Sequence, residues 1–307
     1  MELLIFTEGR HVVREGHVIA RGTTTVIAYG HTTVEVAGEA TVKAFDFVSV
    51  SAHERARVFA YGSASVLAHD RSTVHACEFA NVSACGEVAV RACGAVKVVA
   101  SGTARVCAHE SAHVVASGQV HVDARGRATV QLCGQATAAA RELAFVDASG
   151  FARVTAGGRA TVRACGHVSV TANGQANVKL YEHAEVAASG HAAVCARGHS
   201  RVSASGRASI MAHDYAQVSA RGKVPVWAQD DSCVWLTGSA VAWALDTSTV
   251  HAAGKNIVWA LKSSTCFVAD TTVVYRADNA RVEVVLQATA SRTHDNPARR
   301  RQKEELK

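Results

Sequence analysis

A valine returns every eight residues along most of this chain, and the register never slips. From Val18 to Val282 the period marks 34 positions; 30 are valine, and the exceptions are Ala138, Ile210, Ala242 and Cys266. Two residues after each, from Ala20 to Arg276, 27 of 33 positions are alanine, with Leu132, Leu180 and Leu236 among the larger replacements. Two residues before stand mostly Ala, Val, Ser and Thr. The unit is small-x-Val-x-Ala-x-Gly-x, and "RATVRACGHVSVTANGQANVKL" at 159–180 repeats it nearly three times. A fixed repeat overrides any element-by-element reading of the chain.

Small-x-Val-x-Ala reads as a five-residue strand with one narrow apolar face, because alternate side chains of a strand point to opposite sides. The intervening positions carry Thr, Ser, Arg, Lys, His, Asp and Glu, which suits a solvated outer face. The Gly column, glycine at 20 of 33 positions, supplies a residue that accepts positive φ at a corner. Where glycine is absent the column is nearly always acidic, as at Asp46, Glu54, Asp70, Glu78, Glu110, Glu142, Glu182 and Asp214. The repeat gives no reason for that exchange beyond the ability of acidic side chains to bond backbone amides in turns.

One such strand cannot bury itself, and a three-residue corner is too short for a crossover helix. Stacking answers both constraints. Two octads make a 16-residue coil of two strands and two corners, and successive coils pair in parallel and in register as a flattened all-β solenoid. The expected organisation is an N-terminal cap at 1–15, a parallel β-solenoid (β-helix) of about 17 coils at 16–286, and a polar, basic tail at 287–307. At a strand separation of about 4.8 Å the rod is roughly 80 Å long. A 24-residue triangular coil is the structural alternative, and the small inward residues favour the thinner form.

Composition agrees. The chain has two prolines, Pro225 and Pro297, and few aromatics, so a conventional globular core is not expected. No segment approaches the roughly 18 continuous apolar residues of a membrane span, and "MELLIFTEGRH" lacks the basic start and long apolar stretch of a secretion signal. Nine cysteines without a paired framework fit reduced thiols, and a cytoplasmic location is expected.

The octad, seen best in "AYGSASVLAHDRSTVHA" at 60–76, resembles the central repeats of bacterial ice-nucleation proteins, solenoids of Ala/Gly/Ser/Thr-rich octads in 16-residue coils. The resemblance covers most of 16–286 and implies the fold. Ice templating in that family depends on regular outward Thr-x-Thr ladders. The outward pairs here are irregular: Thr25/Ile27, Thr41/Lys43, Arg57/Phe59, Thr73/His75, Ala89/Arg91. Fold analogy alone does not carry function, so ice binding stands as an alternative. Pentapeptide-repeat solenoids offer a second analogy, inhibition of nucleic-acid machinery by DNA mimicry, which requires a strongly anionic surface. Residues 16–286 hold 24 Lys+Arg against 20 Asp+Glu, which disfavours mimicry. The tail "ARRRQKEELK" at 298–307 is basic but carries Glu304 and Glu305, and reads as a solvated end rather than a nucleic-acid site.

Residues 16 apart share a column, so chemistry can be sought by columns. His167, His183 and His199 form one, open to a metal or pH-sensing role, yet ligands normally converge on a point whereas a column holds them parallel. His53-Glu54, His69-Asp70 and Cys85 lie along one edge and resemble a proton-transfer cluster loosely; Cys77 and Cys93 also share a column. No nucleophile-base-orienter set or phosphate loop is present, so the expectation is a non-enzymatic protein without a cofactor.

The departure that points to function lies near the C-terminus, at 224–286. All four tryptophans occupy outward sites there: Trp227, Trp235, Trp243 and Trp259, with Phe267 and Tyr275. In 16-residue coils Trp227, Trp243, Trp259 and Tyr275 fall on one sheet beside Pro225, Val241, Ile257 and Val273, and the expected interface is Trp227, Val241, Trp243, Ile257, Trp259, Val273 and Tyr275, with Trp235 and Phe267. An apolar outer face of this size calls for a cover. The first expectation is a second copy of the chain, since most soluble oligomers are symmetric homodimers. Folding back of the tail and a foreign protein partner are the alternatives.

Overall fold

The structure is a computed structural model that describes residues 3–269 and 271–285. It contains 36 strands, Leu3–Phe6 through Arg281–Val284, which alternate between two 18-stranded sheets. Every pairing is parallel, and the register is 16 residues: Val162 lies beside Val146 and Val178, and Val170 beside Val154 and Val186. The coil is therefore two octads, and the triangular 24-residue form is excluded. We call the sheet containing Thr161–Ala164 sheet one and that containing Ser169–Ala172 sheet two. The 18 turns extend roughly 80 Å at the usual strand separation of about 4.8 Å. The turn beyond the 17 of the strict repeat is made by Leu3–Phe6 and Arg10–Val13, which pair with His17–Ala20 and Thr25–Ala28 at shorter offsets of 14 and 15 residues.

Alternation decides what is buried. Ala160, Val162 and Ala164 are fully inaccessible, while Arg163 between the last two is exposed. The same three inward positions line the whole rod, so a single continuous core of Val and Ala separates the sheets. Two of the three buried leucines fit by exchange of volume, whereas Leu180 is followed by Val186. Leu132 and Leu236 are each followed six residues later, on the next strand, by an alanine of the valine column, Ala138 and Ala242. Added volume on one sheet is thus removed on the other, which close-packed interiors tolerate best. A few inward positions are polar. Thr32 and Ser72 donate their hydroxyls to the carbonyls of Tyr29 and His69 three residues back, at 2.7 and 2.8 Å. Asn256 accepts from the Ala240 amide at 3.0 Å and donates to the Ala253 carbonyl at 2.9 Å. The buried hydroxyls of Ser200, Ser232, Ser248 and Ser264 have no partner among the described residues.

The corners explain the acidic exchange that the repeat left open. The twelve described non-glycine residues of the Gly column all have positive φ, from 54° at Asp214 to 64° at Glu78. The carbonyl of this column is already used: the Gly38 oxygen accepts from the Arg55 amide, and the Asp46 oxygen from the Ser63 amide. Its N–H is the group that the backbone ladder leaves out. At eight of the described corners a carboxylate one coil later accepts it, among them Glu54 from Gly38 at 2.9 Å, Asp70 from Glu54 at 2.9 Å, Glu78 from Gly62 at 3.0 Å and Asp214 from Gly198 at 2.9 Å. Glycine at the corner avoids strain, and an acid accepts strain to satisfy an amide with a charge-assisted bond. At Gly22 only glycine fits, because a Cβ would sit 2.5 Å from the Thr7 carbonyl oxygen.

Candidate functional site

A parallel, in-register stack turns each outward position into a column along the rod, so the site is built by repetition. Strands Pro225–Ala228, Val241–Ala244, Ile257–Ala260 and Val273–Arg276 are neighbours in sheet one. Their register aligns Pro225, Val241, Ile257 and Val273 in one column and Trp227, Trp243, Trp259 and Tyr275 in the next. Trp227 and Trp243 stack at 4.8 Å between ring centroids, and Trp259 and Tyr275 at 4.3 Å. Stacking hides ring faces but leaves edges and outer surfaces open: Ile257 and Trp259 are each 38% exposed, Tyr275 49% and Val273 50%. The aromatic column continues into Met211, paired with Trp227, and Cys195, paired with Met211. Met211 is exposed and extends the apolar face by one coil. Reading the sequence in steps of 16 from Trp227 would have found it.

Trp235 and Phe267, expected in the same interface, do not share it: their strands belong to sheet two, so they lie on the opposite face of the rod. His251 stands between them, 5.8 Å from Trp235 and 4.9 Å from Phe267, so these three form a separate stack. The tail positions proposed as a cover, 287–307, lie outside the described residues.

His167, His183 and His199 stack at 5.4 and 5.5 Å along one corner edge, with rings 10° from parallel. Phe151 and Tyr215 close the two ends of this column at 5.4 and 5.1 Å, so the ladder has five rings rather than three. Parallel rings hold their nitrogens side by side instead of aiming them at one point, and no group of three or more His, Cys, Asp or Glu among the described residues is arranged to hold a metal. On the other edge group, His53 and His69 stack at 5.2 Å and Cys85 lies beside His69. The carboxylates next to them are engaged with corner amides, Glu54 with Gly38 and Asp70 with Glu54. His53 meets the Ser51 hydroxyl at 3.0 Å.

Burial holds some of the thiols in their protonated form. All nine cysteines are free, and burial, with the neighbouring Cys93 next in importance, holds Cys77 above its ordinary pKa. Burial pushes Cys266, in the valine column, up to about 11. Thiols held above their usual range stay protonated and react slowly.

Among the described residues no helix is long and apolar enough to cross a membrane. No protein-family model, no curated protein and no solved structure matches the chain.

Proposed function

We propose that this protein is a non-enzymatic scaffold, a rod that self-associates through the outward face of its C-terminal coils and presents the remaining surface to a partner. The observation that carries the reading is the double column on sheet one, Pro225/Val241/Ile257/Val273 beside Trp227/Trp243/Trp259/Tyr275, apolar on its outer as well as its inner side. An outer face that is apolar over four neighbouring strands exceeds what a monomer usually leaves in water. Large aromatics supply most of the binding energy at interfaces, and these rings are held rigidly by stacking, so little side-chain entropy is lost on contact.

A second copy is the occupant we favour. The columns run along the rod, so two copies laid face to face about a two-fold axis bring Trp243 and Ile257 of one near the same residues of the other, which is the self-complementary arrangement of a closed dimer. Free thiols fit a reducing compartment, in keeping with a cytoplasmic rod.

Iodide quenching of tryptophan fluorescence across a dilution series tests this reading. Self-association predicts shielded tryptophans at high concentration that become accessible on dilution, in step with a fall in sedimentation coefficient. Concentration-independent, freely quenched tryptophans would overturn it.

A further inference from the structure

The two sheets treat their tryptophans differently. On sheet one Trp227 is followed by Trp243 and preceded by Met211, so both of its faces have a bulky neighbour. Trp235 on sheet two stacks on His251 at 5.8 Å, with rings 8° from parallel, and its other neighbour in the column is Ser219. The residues beyond Ser219 are Ser203 and Ala187. One indole face therefore closes a trough of about 390 Å³ whose floor is backbone and small side chains. Along one side of the trough stands the neighbouring column, Glu185, Arg201 and Gln217. Arg201 is bonded to Glu185 at 3.2 Å.

We propose that this trough is a subsite for one pyranose ring of a neutral glycan, seated on the open face of Trp235. The stack Phe267–His251–Trp235 stops where serine begins, and the space above Ser219 is where the next ring would lie. A pyranose suits it on both counts. Its C–H face is apolar and packs on an indole, while its rim of hydroxyls meets the hydroxyls of Ser219 and Ser203, the Gln217 amide and the free carboxylate oxygen of Glu185. Charge selects against the other planar ligands. The one cation in the lining, Arg201, is balanced by Glu185, so the trough carries no net positive charge to attract a phosphate, and nucleotides are disfavoured. The subsite lies on the face opposite the proposed dimer contact, so a dimer displays two, facing away from each other, and gains avidity for a polymeric glycan.

Isothermal titration calorimetry on the full chain tests the proposal with three probes, the hexasaccharides of β-1,4-linked glucose, β-1,4-linked N-acetylglucosamine and α-1,4-linked glucose, alongside an oligothymidylate. At least one sugar binds in the millimolar range or tighter. Trp235→Ala removes the platform, and Ser219→Phe fills the vacant ring position; each weakens that sugar about tenfold or more. Phenylalanine already occupies this outward column at Phe59 and Phe267, so the second variant keeps the fold, as circular dichroism will report. Phe59→Ala, in the same outward column but far from the trough, leaves binding unchanged. The proposal is overturned if no sugar binds, if binding survives both trough variants, or if the oligothymidylate binds in a Trp235-dependent way, which would assign the trough to single-stranded nucleic acid.

Discussion

Asp70 is the sharpest place to test the corner mechanism, because two substitutions separate its two parts. Its backbone is left-handed, with φ 58°, and its carboxylate accepts the Glu54 amide at 2.9 Å. Replacement by alanine removes the bond and keeps a Cβ in the left-handed region. A hydrogen bond to a charged group contributes about 1.5–3 kcal/mol, and this exposed one belongs at the lower end. Replacement by glycine loses the same bond but relieves left-handed strain of about 1 kcal/mol. Asp70→Ala should therefore cost about 1.5–2 kcal/mol and Asp70→Gly about half of that, an inversion of the usual order in which glycine is the worse residue. Stability in a stacked rod is a sum of local terms, so the effect concentrates near the corner. Hydrogen exchange followed by mass spectrometry reads it at the Glu54 amide, which should exchange about tenfold faster in the alanine variant. Thermal melts should rank wild type above glycine above alanine. An alanine variant more stable than the glycine variant, or a Glu54 amide that exchanges at the same rate in all three, would refute the mechanism.

Other consequences follow from burial. Val162→Asp places a carboxylate between the sheets with no partner and should cost at least about 3 kcal/mol, whereas Thr161→Asp, one residue away on the outer side, should stay within about 0.5 kcal/mol; melting by circular dichroism compares them. Ser248→Ala removes a buried hydroxyl that has no partner and should raise stability by about 1 kcal/mol in the same assay. Ala138→Val should destabilise by about 1–3 kcal/mol through overpacking, and Leu132→Ala in the same chain should recover most of that loss; independent, additive effects would show that the two volumes are not exchanged.

The rod was legible because its two signals are local. Strand alternation and the glycine corner both fit within eight residues, so the octad carries them unaided. What needed the structure depends on residues 16 apart. The exchange of glycine for acid makes no sense inside one octad, since the amide that Asp70 satisfies belongs to Glu54 in the previous coil. The five-ring edge looked like three histidines because Phe151 and Tyr215 are different residue types in the same column. The trough at Trp235 was missed for a related reason: it is defined by what stops at Ser219, and an absence in a column has no motif. The first coil escaped the period because its strands pair at offsets of 14 and 15.

On the proposed function, the aromatic columns of sheet one join two copies of the chain. Sedimentation equilibrium of wild type and of the Trp243→Ser, Trp259→Ser double variant tests it most directly. Each tryptophan, near the middle of the proposed contact, should contribute about 2 kcal/mol or more on truncation, and a symmetric dimer loses each one twice. Wild type should have a mass near twice the chain's 32.1 kDa, and the double variant the single-chain mass with its β-type circular dichroism intact, because both side chains point away from the core. A wild type that is monomeric at every concentration, or a double variant that remains dimeric, would contradict it.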